Sequence, residues 1–184
     1  MEDKRYDSLK IENIVASGAI ADAIDLGEIS RKIKNCELNQ KRFPGAVLRM
    51  DDPKIASLIF SSGKVVLTGI RDQESLDRGL SLIIRSMKDA GVKTLEKPLV
   101  GITNIVCSYD IGKYINLNKV VITLNLENIE YEPEQFPGLV YRIKEPKIVA
   151  LLFSSGKIIL TGGKNLADVK KGLDFLEQKL ESIL

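Results

Sequence analysis

The sequence predicts an α+β fold in which one structural unit occurs twice in tandem. The strands of both copies join in a continuous antiparallel sheet of about ten strands, with four helices on one side. Three observations predict it: a long internal repeat, short β-branched runs separated by turn residues, and an amphipathic helix closing each copy.

The repeat is direct. FPGAVLRMDDPKIASLIFSSGKVVLTGIR, from Phe43, and FPGLVYRIKEPKIVALLFSSGKIILTGGK, from Phe136, match without a gap at 17 of 29 positions, offset by 93 residues. Outward, IENIVAS (Ile11 to Ser17) echoes ITNIVCS (Ile102 to Ser108), and DRGLSLI (Asp77 to Ile83) echoes KKGLDFL (Lys170 to Leu176). Two copies of this length are too few for a solenoid. They read as two halves about a pseudo-two-fold axis: residues 1–92, a linker at 93–98, and residues 99–184.

Within the first copy, Lys10 to Ala16 is rich in β-branched residues and reads as a strand. Leu26 to Lys34 reads as a short helix with Ile29 and Ile33 on one face. Strands follow at Cys36 to Gln40, Ala46 to Met50, Ile55 to Ser61 and Lys64 to Gly69. Pro44-Gly45, Asp52-Pro53 and Ser61-Ser62-Gly63 supply the turns, with positive φ expected at Gly63. Gln73 to Ala90 carries the stripe Leu76, Leu80, Ile83, Ile84, Met87 and stops at Gly91. The second copy repeats the plan and ends in a helix from Leu166 to Leu184.

Composition narrows the function classes. With 44% hydrophobic and 28% charged residues, the chain is an ordinary globular protein. Its start, MEDKRYDSLK, is no secretory signal, and no apolar run approaches the roughly 20 residues of a membrane helix, so a soluble, cytoplasmic protein is expected, with no membrane partner. There is no histidine, which removes Ser-His-Asp and Cys-His catalysis and histidine-bound zinc; neither an enzyme nor a cofactor is expected. Cys36 and Cys107 fit no metal-ligand spacing and read as buried free thiols, with a disulfide as the alternative. Net charge is only +2, so a nucleic-acid partner must be argued from where groups sit.

Placement is informative. In Ser57-Leu58-Ile59-Phe60 and Val65-Val66-Leu67-Thr68, and again in Leu151 to Phe153 and Ile158 to Thr161, both strand faces are apolar. Helices on one side leave the other apolar face uncovered, which marks an interaction surface. The alternatives are a homodimeric scaffold that buries this face against itself, or a sandwich with a second sheet. Among the aliphatics lie a few polar groups: Asn13 with Val15, Asn104 with Val106, Val66 with Thr68, and Ile159 with Thr161. Sparse Asn and Thr among aliphatics suit the DNA minor groove, whose floor at A·T pairs offers acceptors and whose sugar walls accept apolar contact. At the rims Arg49, Arg142, Lys64, Lys157, Ser62 and Ser155 are placed to meet phosphates. Phe60 and Phe153 could equally be hairpin core aromatics. Gly63-Lys64 and Gly156-Lys157 lack the remaining residues of a phosphate loop.

The paired NIV strands, FPG loops, PKI turns and FSSGK hairpins closely resemble the TATA-box-binding proteins in their archaeal form, from Leu9 to Leu184. That family is itself a reference case for minor-groove kinking. The resemblance implies a saddle whose concave sheet lies on A·T-rich promoter DNA, with the helices on its convex side. It implies two intercalating pairs, Phe43 with Phe60 and Phe136 with Phe153, and a floor of Asn13, Val15, Leu58, Val66, Thr68, Asn104, Val106, Leu151, Ile159 and Thr161. Valine is usual in the family where Ile159 stands. Partners implied are transcription factor B and, indirectly, RNA polymerase, and a nucleoid-associated location follows; a homodimer in the absence of DNA is left open by the sequence.

The halves also differ. Gln40-Lys41-Arg42 precedes the first Phe loop, whereas Glu127, Glu130, Glu132 and Glu134 precede the second, where the resemblance implies that transcription factor B docks. Glu132, Glu134 and Gln135 are the docking residues so implied; Gln135 replaces a leucine of many eukaryotic relatives. An acidic surface there favours a basic partner.

Overall fold

The computed structural model describes residues 4–124 and 126–184, without the side chain of Leu126; Met1–Asp3 of the first repeat lie outside the described residues. In chain order the elements are β1 (Lys10–Ala21), α1 (Leu26–Lys32), β2 (Cys36–Leu38), β3 (Ala46–Asp51), β4 (Lys54–Ile59), β5 (Lys64–Ile70), α2 (Gln73–Asp89) and β6 (Thr94–Asp110). Then come α3 (Leu117–Thr123), β7 (Ile129–Glu130), β8 (Leu139–Ile143), β9 (Ile148–Leu152), β10 (Lys157–Gly163) and α4 (Leu166–Leu180). The ten strands form one sheet in the order β2-β3-β4-β5-β1-β6-β10-β9-β8-β7, which leaves no second sheet for a sandwich among the described residues. Neighbours within each repeat pair antiparallel, as tight hairpins require.

Local chemistry sets the ends of these elements. Each α-helix starts at an Asp or Asn whose side chain accepts a backbone N–H of the first turn: Asp25 from Glu28, Asp72 from Ser75, Asn116 from Lys119 and Asn165 from Asp168. The hydrogen bond from Ser75 also lowers the Asp72 carboxyl below the ordinary value. α1 stops at Lys32, two residues before the sequence-based boundary, because Ile33 is already extended. α4 stops at Leu180 instead of Leu184, and Ile183 and Leu184 turn back to hydrogen-bond its carbonyl. β2 ends at Leu38, since the Asn39 carbonyl accepts from Arg42 and Phe43 in a turn. β1 runs on to Ala21, paired through Ala19 with Lys64 beside the hairpin, where Gly63 has φ 88°.

Two compact units organise the chain. One comprises Asn13–Thr103, the other the residues up to Glu12 with Asn104–Leu184. These limits cross the repeat boundaries, because β1 and β6 each run from one unit into the other. The segment read as a linker enters β6 at Thr94. The N-terminal residues pack with the second repeat: Tyr6 donates to Asp174 Oδ1 of α4 at 2.7 Å, and the hydroxyl of Tyr109 on β6 lies 3.3 Å from the Arg5 carbonyl and donates to Glu177 Oε1 of α4 at 2.6 Å. Burial and these carboxylates push both phenols above their ordinary value.

Each unit buries one strand face under its helices. In the first, Ile14, Ala16, Leu48, Ile55, Ile59, Val65 and Leu67 meet Leu76, Ile83 and Met87 of α2 in the core. In the second, Ile105, Tyr141, Ile148, Leu152, Ile158 and Leu160 do the same with Val169, Leu173 and Leu176 of α4. At roughly 25 cal/mol per Å² of apolar area, this one-sided burial is the main stabilising contribution. Cys107 is buried and its thiol is pushed up to about 11 by burial and by the charge of Glu12; Cys36 is half-buried, and both are free thiols.

Two polar residues are buried among the described residues, Ser57 and Ser108, and the first is wholly enclosed. Ser57 is 0% exposed and its hydroxyl has no hydrogen-bond partner. The corresponding residue of the second repeat is Ala150, equally buried. A buried hydroxyl without a partner costs about 1–3 kcal/mol of desolvation. Ser57→Ala is therefore expected to leave stability unchanged or raise it by about 1 kcal/mol in urea denaturation. A loss of stability would show that the hydroxyl is satisfied in solution.

Candidate nucleic-acid interface

The face opposite the helices carries the residues singled out above. In the first unit Asn13, Val15, Leu58, Val66 and Thr68 are half-buried, alternating with the fully buried residues of the same strands. Cross-strand pairing sets Leu58 beside Val66 and Val47, and Ala56 beside Thr68. In the second unit Asn104, Val106, Leu151, Ile159 and Thr161 take the same places, with Ile159 opposite Leu151 and Thr161 opposite Val149. No helix covers this face in either unit among the described residues. Its aliphatic side chains retain water contact that folding has not removed.

The asparagines are held by a backbone irregularity. Ile14 pairs with Ile70 and Ala16 with Leu67, so two residues separate the β5 partners where one separates those of β1. This is a β-bulge, and Gly69 within it has φ 90°, a conformation that favours glycine. The bulge turns the Gly69 N–H away from the ladder, and it donates to Asn13 Oδ1 at 2.8 Å. With the carbonyl oxygen engaged, the amide orientation is assigned: Asn13 Nδ2 donates to Thr68 Oγ1 at 3.0 Å and has a second N–H left over. The second unit repeats the arrangement. A bulge between Leu160 and Gly163 lets Gly162, with φ 98°, donate to Asn104 Oδ1 at 2.7 Å, while Asn104 Nδ2 donates to Thr161 Oγ1 at 3.2 Å. Each unit thus presents an oriented N–H donor within an otherwise apolar surface.

The four phenylalanines form two edge-to-face pairs. Ring centroids are 5.7 Å apart for Phe43 and Phe60, and 5.9 Å for Phe136 and Phe153, within the favourable range. None belongs to the core: Phe136 is 41% exposed and the other three are half-buried. The glycine of each FPG loop seats the rings. A Cβ on Gly45 would lie 2.9 Å from Phe43 Cε1, and one on Gly138 would lie 2.7 Å from Phe136 Cε1. The sequence identifies these glycines as turn residues; their second role also depends on the approach of the hairpin rings, Phe60 Cε1 at 3.3 Å and Phe153 Cε1 at 3.0 Å from the same Cβ positions, which spacing does not reveal.

The rims divide into two kinds of group. Lys64 and Lys157 are exposed at the hairpins, with no carboxylate in ion-pair range among the described residues; Ser62 and Ser155 cap the same turns by accepting the lysine N–H at 3.4 Å. Arg49 and Arg142 are exposed too, but each is paired, with Glu37 and Glu130 respectively. Neither glutamate role is evident from the sequence, since each pair spans two strands. Glu132, Glu134 and Gln135 are exposed, and the Glu132 carbonyl accepts from Gln135 and Phe136 in the turn before the Phe pair. No group of His, Cys, Asp or Glu among the described residues is arranged to hold a metal ion, and no helix is long and apolar enough to cross a membrane.

Comparison with known proteins places this geometry. The family model described as transcription factor TFIID, or TATA-binding protein, matches residues 8–90 and 100–183, one match per repeat. The TATA-box-binding protein of Archaeoglobus fulgidus is 49% identical over 175 residues, which covers 95% of this chain and 96% of that one. TATA-box-binding protein 1 of Methanosarcina acetivorans is 47% identical over 96% of both chains. The solved structure of Methanococcus jannaschii TBP superimposes with a TM-score of 0.86 at 43% identity, covering 96% of this chain and 99% of that chain. These relatives are named TATA-box-binding proteins, and the family model describes a transcription factor, not an enzyme. With the family model matched in both repeats, and close relatives aligned over nearly the full length, the chain belongs to the TATA-box-binding protein family.

Proposed function

We propose that the chain is a transcription initiation factor whose uncovered sheet face binds the minor groove of A·T-rich, TATA-like promoter DNA. The observation that carries the reading is the oriented asparagine amide on an apolar face, present once in each repeat. At A·T pairs the groove floor offers only the acceptors N3 and O2, which a leftover amide N–H can meet. A G·C pair adds an amino donor that aliphatic side chains cannot accept, so that group would be desolvated without a partner. Val15, Leu58, Val66, Val106, Leu151 and Ile159 supply the surface for the sugar walls.

The Phe pairs are the wedges of this mechanism. An aromatic ring entering a base step offsets the few kcal/mol lost on unstacking, and the kink brings more DNA onto the protein. Arg49, Arg142, Lys64, Lys157, Ser62 and Ser155 then meet phosphates, which positions the duplex without reading its sequence. In this reading the uncovered faces of both repeats engage one duplex. Glu132, Glu134 and Gln135 form an acidic docking surface for transcription factor B, and through it RNA polymerase is recruited. The first Phe loop, with Lys41 and Arg42, lacks that acidity, which gives a nearly symmetric protein an orientation.

Two measurements test the proposal. In a gel-shift titration, a TATA duplex should bind at least about 1000-fold tighter than a G·C-rich duplex of equal length, as specific binding does; equal binding to both contradicts it. In a FRET assay of DNA bending, Phe60→Ala and Phe153→Ala should each reduce the bend, with little loss of folding stability because neither ring is in the core. A normal bend in both variants rules out the wedge.

A further inference from the structure

We infer that Glu37 and Glu130 restrain DNA binding by acting through the rim arginines, each a resident carboxylate that a phosphate must displace. The inference rests on the reading of the uncovered face as the DNA surface. Arg49 Nη1 lies 3.3 Å from Glu37 Oε2, and Arg142 Nε lies 3.5 Å from Glu130 Oε1. Glu37 stands opposite Val47 and Glu130 opposite Val140. Each arginine is two residues farther along its strand, so it shares the face of that valine and lies diagonal to the glutamate. That face is the uncovered one, which places both ion pairs within the proposed interface.

The exposure of these groups decides what the pairs can do. Their side chains are between 56% and 77% exposed, so water and salt screen them and their contribution to folding is small. A carboxylate and a phosphate compete for the same guanidinium, and both are anions recognised by its N–H groups. When the arginine turns to phosphate, the glutamate is left unpaired beside the DNA charge. The contact exchanges one anion for another instead of adding a new attraction. Lys64 and Lys157 carry no such restraint among the described residues. The neighbours of the two glutamates have diverged between the repeats, Cys36 and Leu38 against Ile129 and Tyr131, while the Glu–Arg pair persists in both.

The test is affinity for a TATA duplex as a function of KCl, read by fluorescence anisotropy on the full chain. Glu37→Gln with Glu130→Gln is compared with wild type, with Arg49→Gln plus Arg142→Gln, and with all four changes together. The glutamine pair should bind about threefold to tenfold tighter at about 0.1 M salt. It should also steepen the slope of log K against log salt by up to about 1.8, about 0.9 for each phosphate contact unmasked. In the arginine-free background the same glutamine changes should tighten binding less and leave the salt slope unsteepened, because only repulsion between the glutamates and the DNA is relieved there. Equal tightening in both backgrounds would reduce the effect to general charge repulsion and overturn the inference. So would unchanged or weaker binding with the arginines present. Wild-type protein that does not prefer the TATA duplex contradicts the reading of the face itself, and the inference falls with it.

Discussion

A β-sheet has two faces, and the helices of this chain cover one of them in each repeat. α2 lies against β4 closely enough that a Cβ on Gly79 would collide with Ile55 Cδ1, and a Cβ on Gly172 of α4 would lie 3.1 Å from Ile148 Cγ1. All helical burial is thereby committed to one side. Leu58, Val66, Leu151 and Ile159 keep their water contact, at a cost proportional to the apolar area left exposed. A surface of this kind releases free energy when an apolar surface of matching shape displaces the water. The wedges, the floor and the polar contacts of the proposed function all depend on that asymmetry of cover.

Specificity needs a second element, because an apolar face alone would bind without discrimination. In the proposed function it comes from the bulges at Gly69 and Gly162. A regular ladder would tie every backbone N–H to the neighbouring strand; each bulge redirects one to an asparagine carbonyl oxygen and so fixes which way the amide points. A local departure from β geometry is thus converted into an oriented donor. Only glycine takes this backbone conformation without strain, so the same residue type serves both repeats.

Much of this was legible in the sequence. The offset repeat set the architecture, and period-two alternation in Val65 to Thr68 and Ile158 to Thr161 separated the two faces, because side-chain direction in a strand follows position alone. Turn chemistry placed the hairpin at Gly63. Features that join distant segments were not legible. The docking of Tyr6 on α4, the Glu37–Arg49 pair, the seating of the rings on Gly45 and Gly138, and the asparagine–glycine bonds all depend on register across strands or packing across the chain. The passage of β6 through Thr94 to Pro98 was missed for a related reason. Lys, Glu and Pro there carry weak β preference, and pairing within the sheet overrides it.

The central claim is that each asparagine amide reads the groove with the N–H that its bond to Thr68 or Thr161 leaves over. Asn13→Asp together with Asn104→Asp keeps an acceptor for Gly69 and Gly162 and removes the outward donors. Binding to a TATA duplex, measured beside thermal unfolding of the same protein, tests the claim directly. The account predicts an affinity loss of at least about tenfold for two lost base contacts, with the unfolding temperature nearly unchanged. Binding at wild-type strength by the folded double variant would contradict it.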